Sequence, residues 1–199
     1  MWSAAILAGG QATRFGGRDK GSLVVDGDTI RARQLGVLSQ IAEDILIVGL
    51  PDVPAIPQGL AVRAVADRVP GCGPLGGLHT ALSEARGEAI VIIACDMPFV
   101  AAPFLAHLLS LTREADAVVP ATDRGYHPLC AAYTRACAEP VARRLAAGRL
   151  KMTDLLEDVR VRVVPAEEMR AFGDPDALVA NVNTPGEFRD LEALQGHKP

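Results

Sequence analysis

The stretch LAGGQATRFGGRDKGS, Leu7 to Ser22, concentrates residues that could handle an anion. It follows a short apolar run, Ala4 to Leu7, and opens with Gly9-Gly10, where backbone N–H groups can approach a ligand with no Cβ in the way. Successive amides in such turns form anion-holding concavities. Arg14, Arg18 and Lys20 add positive charge. Arg grips a phosphate with two bonds, and Lys acts as a compact point charge. The simplest ligand is a phosphate-rich molecule; the competing reading is a loop of solvated charges. The chain has no GxxxxGK[ST], which sets aside a P-loop, and no GxGxxG directly after the first apolar run, which disfavours dinucleotide binding.

Four further constellations carry potential chemistry. In IACDMP, Ile93 to Pro98, an apolar run ends at Cys95, Asp96 follows, and Pro98 forbids continuation. A lone carboxylate among phosphates suits Mg²⁺, which keeps waters and uses few protein ligands. The alternative is that Asp96 caps a helix near Pro103 or simply ends a strand. In DRVPGCGPLGGL, Asp67 to Leu78, an acidic start leads into a glycine-rich turn, and Gly73, Gly76 and Gly77 suit close approach by a ring or phosphate. A plain surface loop accounts for it equally. In NVNTP, Asn181 and Asn183 stand two apart and project to one side of an extended strand. They suit hydrogen bonds to a polar ligand or a metal, against turn chemistry ahead of a helix. In YHPL, His127 suits either a phosphate contact or a strand start.

These residues need elements to position them. Ala4–Leu7, Ile45–Val48, Ala89–Ala94 and Ala117–Val119 are apolar throughout, the pattern of strands covered on both faces. Helical segments separate them: Thr29–Ile41, with Ile30, Val37, Leu38 and Ile41 near one stripe, then Leu78–Ala85 and Phe104–Leu111. Alternating strand and helix predicts a doubly wound α/β domain. Sheets of this kind bind ligands beyond the carboxyl ends of their strands, where the Gly9 loop and Asp96 both fall. Leu129–Tyr133 and Arg160–Val164 read as strands and Arg135–Ala146 as a helix. Thr184, Pro185 and Glu187 fit the N-cap, first-turn and capping-box positions of a last helix, with Phe188, Leu191 and Leu194 facing the body. Pro51–Gly59, Pro70–Gly77 and Gly173–Pro175 read as loops.

The 199 residues suit one domain, and 49% hydrophobic with 22% charged is ordinary globular usage. A net charge of −4 lacks the basic footprint of a nucleic-acid binder, so no nucleic acid is expected as a partner. No apolar stretch is long enough to span a membrane, and no basic segment followed by an apolar one marks a signal peptide. Cys72, Cys95, Cys130 and Cys137 match no zinc spacing and read as free thiols of a reducing compartment. The expectation is a cytoplasmic protein without membrane partners.

Taken in order, LAGG, R-x-GG-x-DKG, GPLGG, CDMP, HPL and NVNTP resemble the molybdenum cofactor guanylyltransferases, the MobA family, along nearly the whole chain. The paired Gly16-Gly17 before Asp19-Lys20 is the most specific part; relatives that transfer other nucleotides usually show LAAG and one glycine before a lysine. The resemblance implies a Rossmann-like nucleotidyltransferase fold, a mostly parallel sheet sandwiched between helices, as one domain. Its nucleotide-binding half would span about 1–100 and its acceptor-binding half about 101–199. It implies transfer of GMP from GTP to the molybdenum-bound pterin, Mo-molybdopterin, giving the guanine dinucleotide form and pyrophosphate. It also implies Mg²⁺ as cofactor and transient contact with other molybdenum cofactor proteins. By this likeness Leu7, Ala8, Gly9 and Gly10 hold the nucleotide, Lys20 and Arg14 neutralise its phosphates, Asp67 contacts the nucleoside, and Asp96 binds nucleotide and Mg²⁺. Gly73, Gly77, His127, Asn181 and Asn183 fall to the acceptor side. Val48-Gly49 stands where the family often carries a nucleotide-binding asparagine. The competing readings are a related transferase using CTP or a sugar-phosphate acceptor, and a module that binds GTP without transferring.

Overall fold

The computed structural model describes residues 1–8, 20–25, 27–50, 61–182 and 186–187. An eight-stranded sheet forms its centre, in the order β10 (Val161–Pro165), β7 (Ala117–Thr122), β9 (Cys130–Thr134), β6 (Ala89–Ala94), β1 (Trp2–Leu7), β4 (Asp44–Val48) and β5 (Val62–Val65), with the short β8 (Gly125–Tyr126) pairing β7. β9 runs antiparallel to β6 and β7; β1 pairs in parallel with β4 and β6, β4 with β5, and β10 with β7. A two-stranded ribbon, β2 (Val24–Val25) and β3 (Asp28–Thr29), precedes the first helix.

Burial on both faces explains the apolar runs. Ala4, Ile6, Ile45, Ile47, Val91 and Ile93 point into a core under α1 (Ile30–Leu38) and α3 (Ala102–Ser110). Their neighbours Ala5, Leu7, Leu46, Val48, Ile90 and Ile92 point into a second core under α2 (Gly73–Glu84) and α4 (Ala138–Ala146). That alternation of direction is the strand period of two, filled on both sides. α5 (Ala166–Met169) and α6 (Pro175–Leu178) contribute Met169 and Leu178 to the first core.

Three sequence expectations need correction. The helix over Thr29–Ile41 is shorter: Thr29 is its N-cap, its hydroxyl accepting from Ala32 N at 3.1 Å, and it ends at Leu38, with Ile41 in the turn beyond. Pro70–Gly77 is a loop only as far as Cys72, because α2 starts at Gly73 with Pro74 in its first turn, where a missing N–H does no harm. Gly173–Pro175 is likewise a helix start, in which the Asp174 carboxylate accepts from Ala177 N at 2.9 Å. The C-terminal helix start at Thr184 and Pro185, the residues Phe188, Leu191 and Leu194, and the loop Pro51–Gly59 lie outside the described residues. No described helix is long and apolar enough to cross a membrane, and all four cysteines are free.

Candidate functional site

β1 is where the chain changes direction across the sheet: β4 and β5 lie on one side, and the chain then crosses to β6 on the other. Ligands of doubly wound sheets settle in the crevice at such a point. The carboxyl ends of β1, β4 and β6 are tied there by short bonds: Ala8 N donates to Val48 O at 2.8 Å, and Cys95 N to Leu7 O at 3.2 Å. The Leu7 carbonyl and the Ala8 amide thus also serve the sheet. Gly9, Gly10 and Arg14 lie outside the described residues. Lys20 begins a one-turn 3-10 helix, Lys20–Ser22, leading back to the ribbon; its side chain lies outside what is described.

Asp96 sits just past β6, 8% exposed. It does not cap α3, whose N-cap is Ala101 with no side-chain bond. Its carbonyl accepts from Val182 N at 2.8 Å, which draws the 181–182 segment to the same edge. A hard carboxylate oxygen at the ligand edge is a fitting Mg²⁺ donor. Among the described residues no group of three His, Cys, Asp or Glu side chains could hold a metal by itself.

Asp67 follows β5. Its Oδ1 accepts from Thr80 Oγ1 at 3.0 Å and from Val69 N at 3.1 Å, and Thr80 in turn accepts from Arg68 N at 2.9 Å. The carboxylate therefore fixes the loop before α2. The glycines of that helix have packing reasons. A Cβ on Gly76 would stand 2.9 Å from Val69 O, and one on Gly77 would stand 3.4 Å from Leu7 Cδ2. Gly73 has φ +60°, the left-handed region that glycine enters freely, and it makes the turn into α2.

A cavity of about 600 Å³ opens at this edge. His127 and Asn181 line it, and Pro74 and Met97 extend it to the neighbours of Gly73 and Asp96. His127 accepts or donates to Thr122 Oγ1 through Nε2 at 2.9 Å; burial, with Arg124 adding to it, pushes its pKa down against the pull of Asp176. The lowered pKa favours the neutral ring. Asn183 lies outside the described residues. Sequence reasoning missed Arg124, Tyr126 and Lys151 on the same wall. Tyr126, 49% exposed, and Leu150, 38% exposed, are bulky apolar residues left uncovered in the lining, a hint that only the fold supplies. Arg124 approaches Asp176 at 3.7 Å with both side chains more than half exposed, a weak pair that leaves the guanidinium available.

A mostly parallel sheet with its ligand edge at the β1 crossing, the Asp96 carboxylate there and a cavity beside it suit a nucleotide-handling protein. The family described as the MobA-like NTP transferase domain matches residues 4–163, and the chain belongs to that family. It is therefore a nucleotidyltransferase. The chain is 33% identical over 186 residues to a probable molybdenum cofactor guanylyltransferase of Pelotomaculum thermopropionicum, covering 94% of this chain and 89% of that one. It is 34% identical over 190 residues to a molybdenum cofactor guanylyltransferase of Desulfosudis oleivorans, covering 94% and 93%. Among solved structures, molybdopterin-guanine dinucleotide biosynthesis protein A of Archaeoglobus fulgidus superposes with a TM-score of 0.77 at 26% identity, covering 98% and 100%. A 2-C-methyl-D-erythritol 4-phosphate cytidylyltransferase of Thermus thermophilus shares the fold, with a TM-score of 0.67 at 18% identity.

Proposed function

We propose that the protein transfers GMP from GTP to Mo-molybdopterin, forming the guanine dinucleotide cofactor and pyrophosphate in the cytoplasm. One observation carries the reading: Asp96 and the end of β1 share an edge with a cavity large enough for a pterin and lined by His127 and Asn181. GTP occupies the half built from about 1–100, over Leu7, Ala8, Gly9, Gly10 and Asp67. The acceptor occupies the half built from about 101–199, against His127, Asn181, Asn183 and the start of α2 at Gly73.

The acceptor phosphate attacks the α-phosphorus of GTP. One P–O bond forms there, and the bond from that phosphorus to the bridging oxygen of the β-phosphate breaks, so pyrophosphate leaves. A phosphate monoester is largely ionised near neutral pH, so no strong base is needed. Repulsion between anions is the obstacle, and catalysis is positioning plus electrostatics. Lys20 and Arg14 neutralise charge that builds on the phosphates. Asp96 would hold Mg²⁺, which would supply positive charge against the phosphates as pyrophosphate departs. Tyr126 offers a ring face to the planar pterin, and Arg124 and Lys151 offer charge to its phosphate. Transient contact with other molybdenum cofactor proteins completes the reading.

Calorimetry with GTP, CTP, ATP and UTP, each with and without Mg²⁺, tests it. Preference for GTP, followed by turnover with molybdenum-loaded pterin, is the expected result. Preference for CTP overturns the guanylyl assignment in favour of a cytidylyl transferase.

A further inference from the structure

We propose that Gln34 is a positioning residue for Asp96, acting from the opposite side of the Cys95-Asp96 turn. Gln34 lies in α1 and is fully buried. Its side-chain Nε2 donates to Ala94 O at 2.7 Å and to Met97 O at 2.9 Å. Only the amide NH₂ can serve two carbonyls, so the orientation of the group is fixed by chemistry. Met97 N donates to Ala94 O at 3.3 Å, so residues 94–97 form a tight turn with Cys95 and Asp96 at its corner. Gln34 holds both ends of that turn with one amide. Leu7 O receives Cys95 N, and Val182 N reaches Asp96 O. The carboxylate is therefore presented from a turn fixed on three sides, by α1, β1 and the 181–182 segment.

Two features separate this from ordinary packing. Gln34 stands four residues after Ile30 and four before Leu38, on a stripe whose other members are fully buried and apolar. Its Oε1 is buried and meets no hydrogen-bond donor among the described residues. A buried acceptor without a partner costs stability, a cost set against the two bonds that Nε2 makes to the Asp96 turn. The same helix also reaches the cationic loop, because a Cβ on Gly21 would stand 2.9 Å from Arg31 Nη2. α1 thus passes beside Gly21 near its start and holds the Asp96 turn farther along.

The inference rests on Asp96 being the Mg²⁺ ligand, and the test separates the two. GTP binding is measured by calorimetry across a Mg²⁺ series and in chelator, for the parent protein, Gln34→Met, Asp96→Asn and the double variant. Thermal unfolding is followed alongside. Methionine keeps the length and removes both donors. Gln34→Met is expected to raise the Mg²⁺ concentration for half-maximal GTP binding about tenfold, the scale on which groups behind a metal ligand act. Metal-free GTP binding should stay unchanged. Asp96→Asn should abolish the Mg²⁺ dependence, and the double variant should match it, because a residue working through Asp96 has nothing to add once Asp96 is gone. Should Gln34→Met not fold, Gln34→Asn, one methylene short of both carbonyls, carries the same comparison. A lowered melting temperature with an unchanged Mg²⁺ midpoint would give Gln34 a structural role and overturn the proposal alone. An Asp96→Asn protein that keeps its Mg²⁺ dependence would overturn the reading of Asp96 and this inference with it.

Discussion

Gly76→Ala and Gly36→Ala should move stability in opposite directions, although both place alanine in a helix. Gly36 lies in α1 with nothing within 4 Å of an added Cβ, so alanine there should stabilise by up to about 1 kcal/mol through helix propensity and a less flexible unfolded chain. Gly76 is in the first turns of α2, and its Cβ would stand 2.9 Å from Val69 O and 3.1 Å from Cys72 Cβ. Ordinary contact begins near 3.4 Å, so helix and loop must part by about half an ångström. Neither obstacle is a flexible side-chain end: one is backbone, the other sits on the N-cap of the same helix. Overpacking of this kind costs about 1–3 kcal/mol. Net of the propensity gain, the loss is up to about 2 kcal/mol, or up to roughly 8 °C in a domain of this size. The loop that must move includes Val69, whose N–H is held by the Asp67 carboxylate. GTP affinity should fall with the melting temperature, while Gly36→Ala leaves it unchanged. Scanning calorimetry and GTP titration of both variants decide the matter. A Gly76→Ala protein as stable as Gly36→Ala would refute a packing role for that glycine.

Asp44, at the opposite edge of the sheet, is buried and accepts from Ser3 Oγ at 2.7 Å, Arg86 N at 2.9 Å and Arg63 Nη2 at 2.8 Å. Burial alone would raise its pKa, but these donors outweigh it and hold the carboxyl below its ordinary value. Asp44→Ala should cost about 3 kcal/mol, at the low end for a broken buried pair because Arg63 keeps water, and urea unfolding should show it with GTP affinity of the folded protein unchanged. For His127 the sign follows from its depressed pKa: the unfolded chain takes up a proton near pH 6.5 that the folded protein resists. Stability should therefore fall as pH drops below 6.5, and His127→Asn should flatten the decline in the urea midpoint between pH 7.5 and 5.5; an unchanged slope would refute the assignment. Asp44 and Glu168, held below their ordinary values, contribute stability that is lost only at more acid pH, outside that window. Lys20→Ala should lower turnover roughly 100-fold, as loss of a preorganised charge does, and near-normal turnover would remove Lys20 from the mechanism.

The strands that build the ligand edge were legible because they are buried on both faces, and two-sided burial writes an unbroken apolar run. β5 escaped notice for the opposite reason. It is an edge strand of four residues with Arg63 inside it, and Arg63 turns out to Asp44 and the carbonyl of Glu84. The place of Asp96 in the fold was legible too, just past the end of a buried strand, although the residue itself is only 8% exposed. Glycine was the ambiguous letter. Gly76 and Gly77 read as a ligand-facing turn, yet the same absence of a side chain lets α2 lie against Val69 and Leu7. Sequence does not distinguish a glycine opened to a ligand from one closed onto a helix, because both need only that the Cβ be missing. The cavity wall of Arg124, Tyr126 and Lys151 was hidden for a topological reason: the first two lie between β7 and β9 and the third beyond α4, and only the assembled sheet brings them beside Pro74 and Met97. Gln34 was different again. A single amide on an apolar helical stripe is visible in the sequence, and its position four residues from Ile30 and from Leu38 already required a buried partner. What the helix period could not supply was the identity of that partner, the turn that carries Asp96, sixty residues farther along the chain.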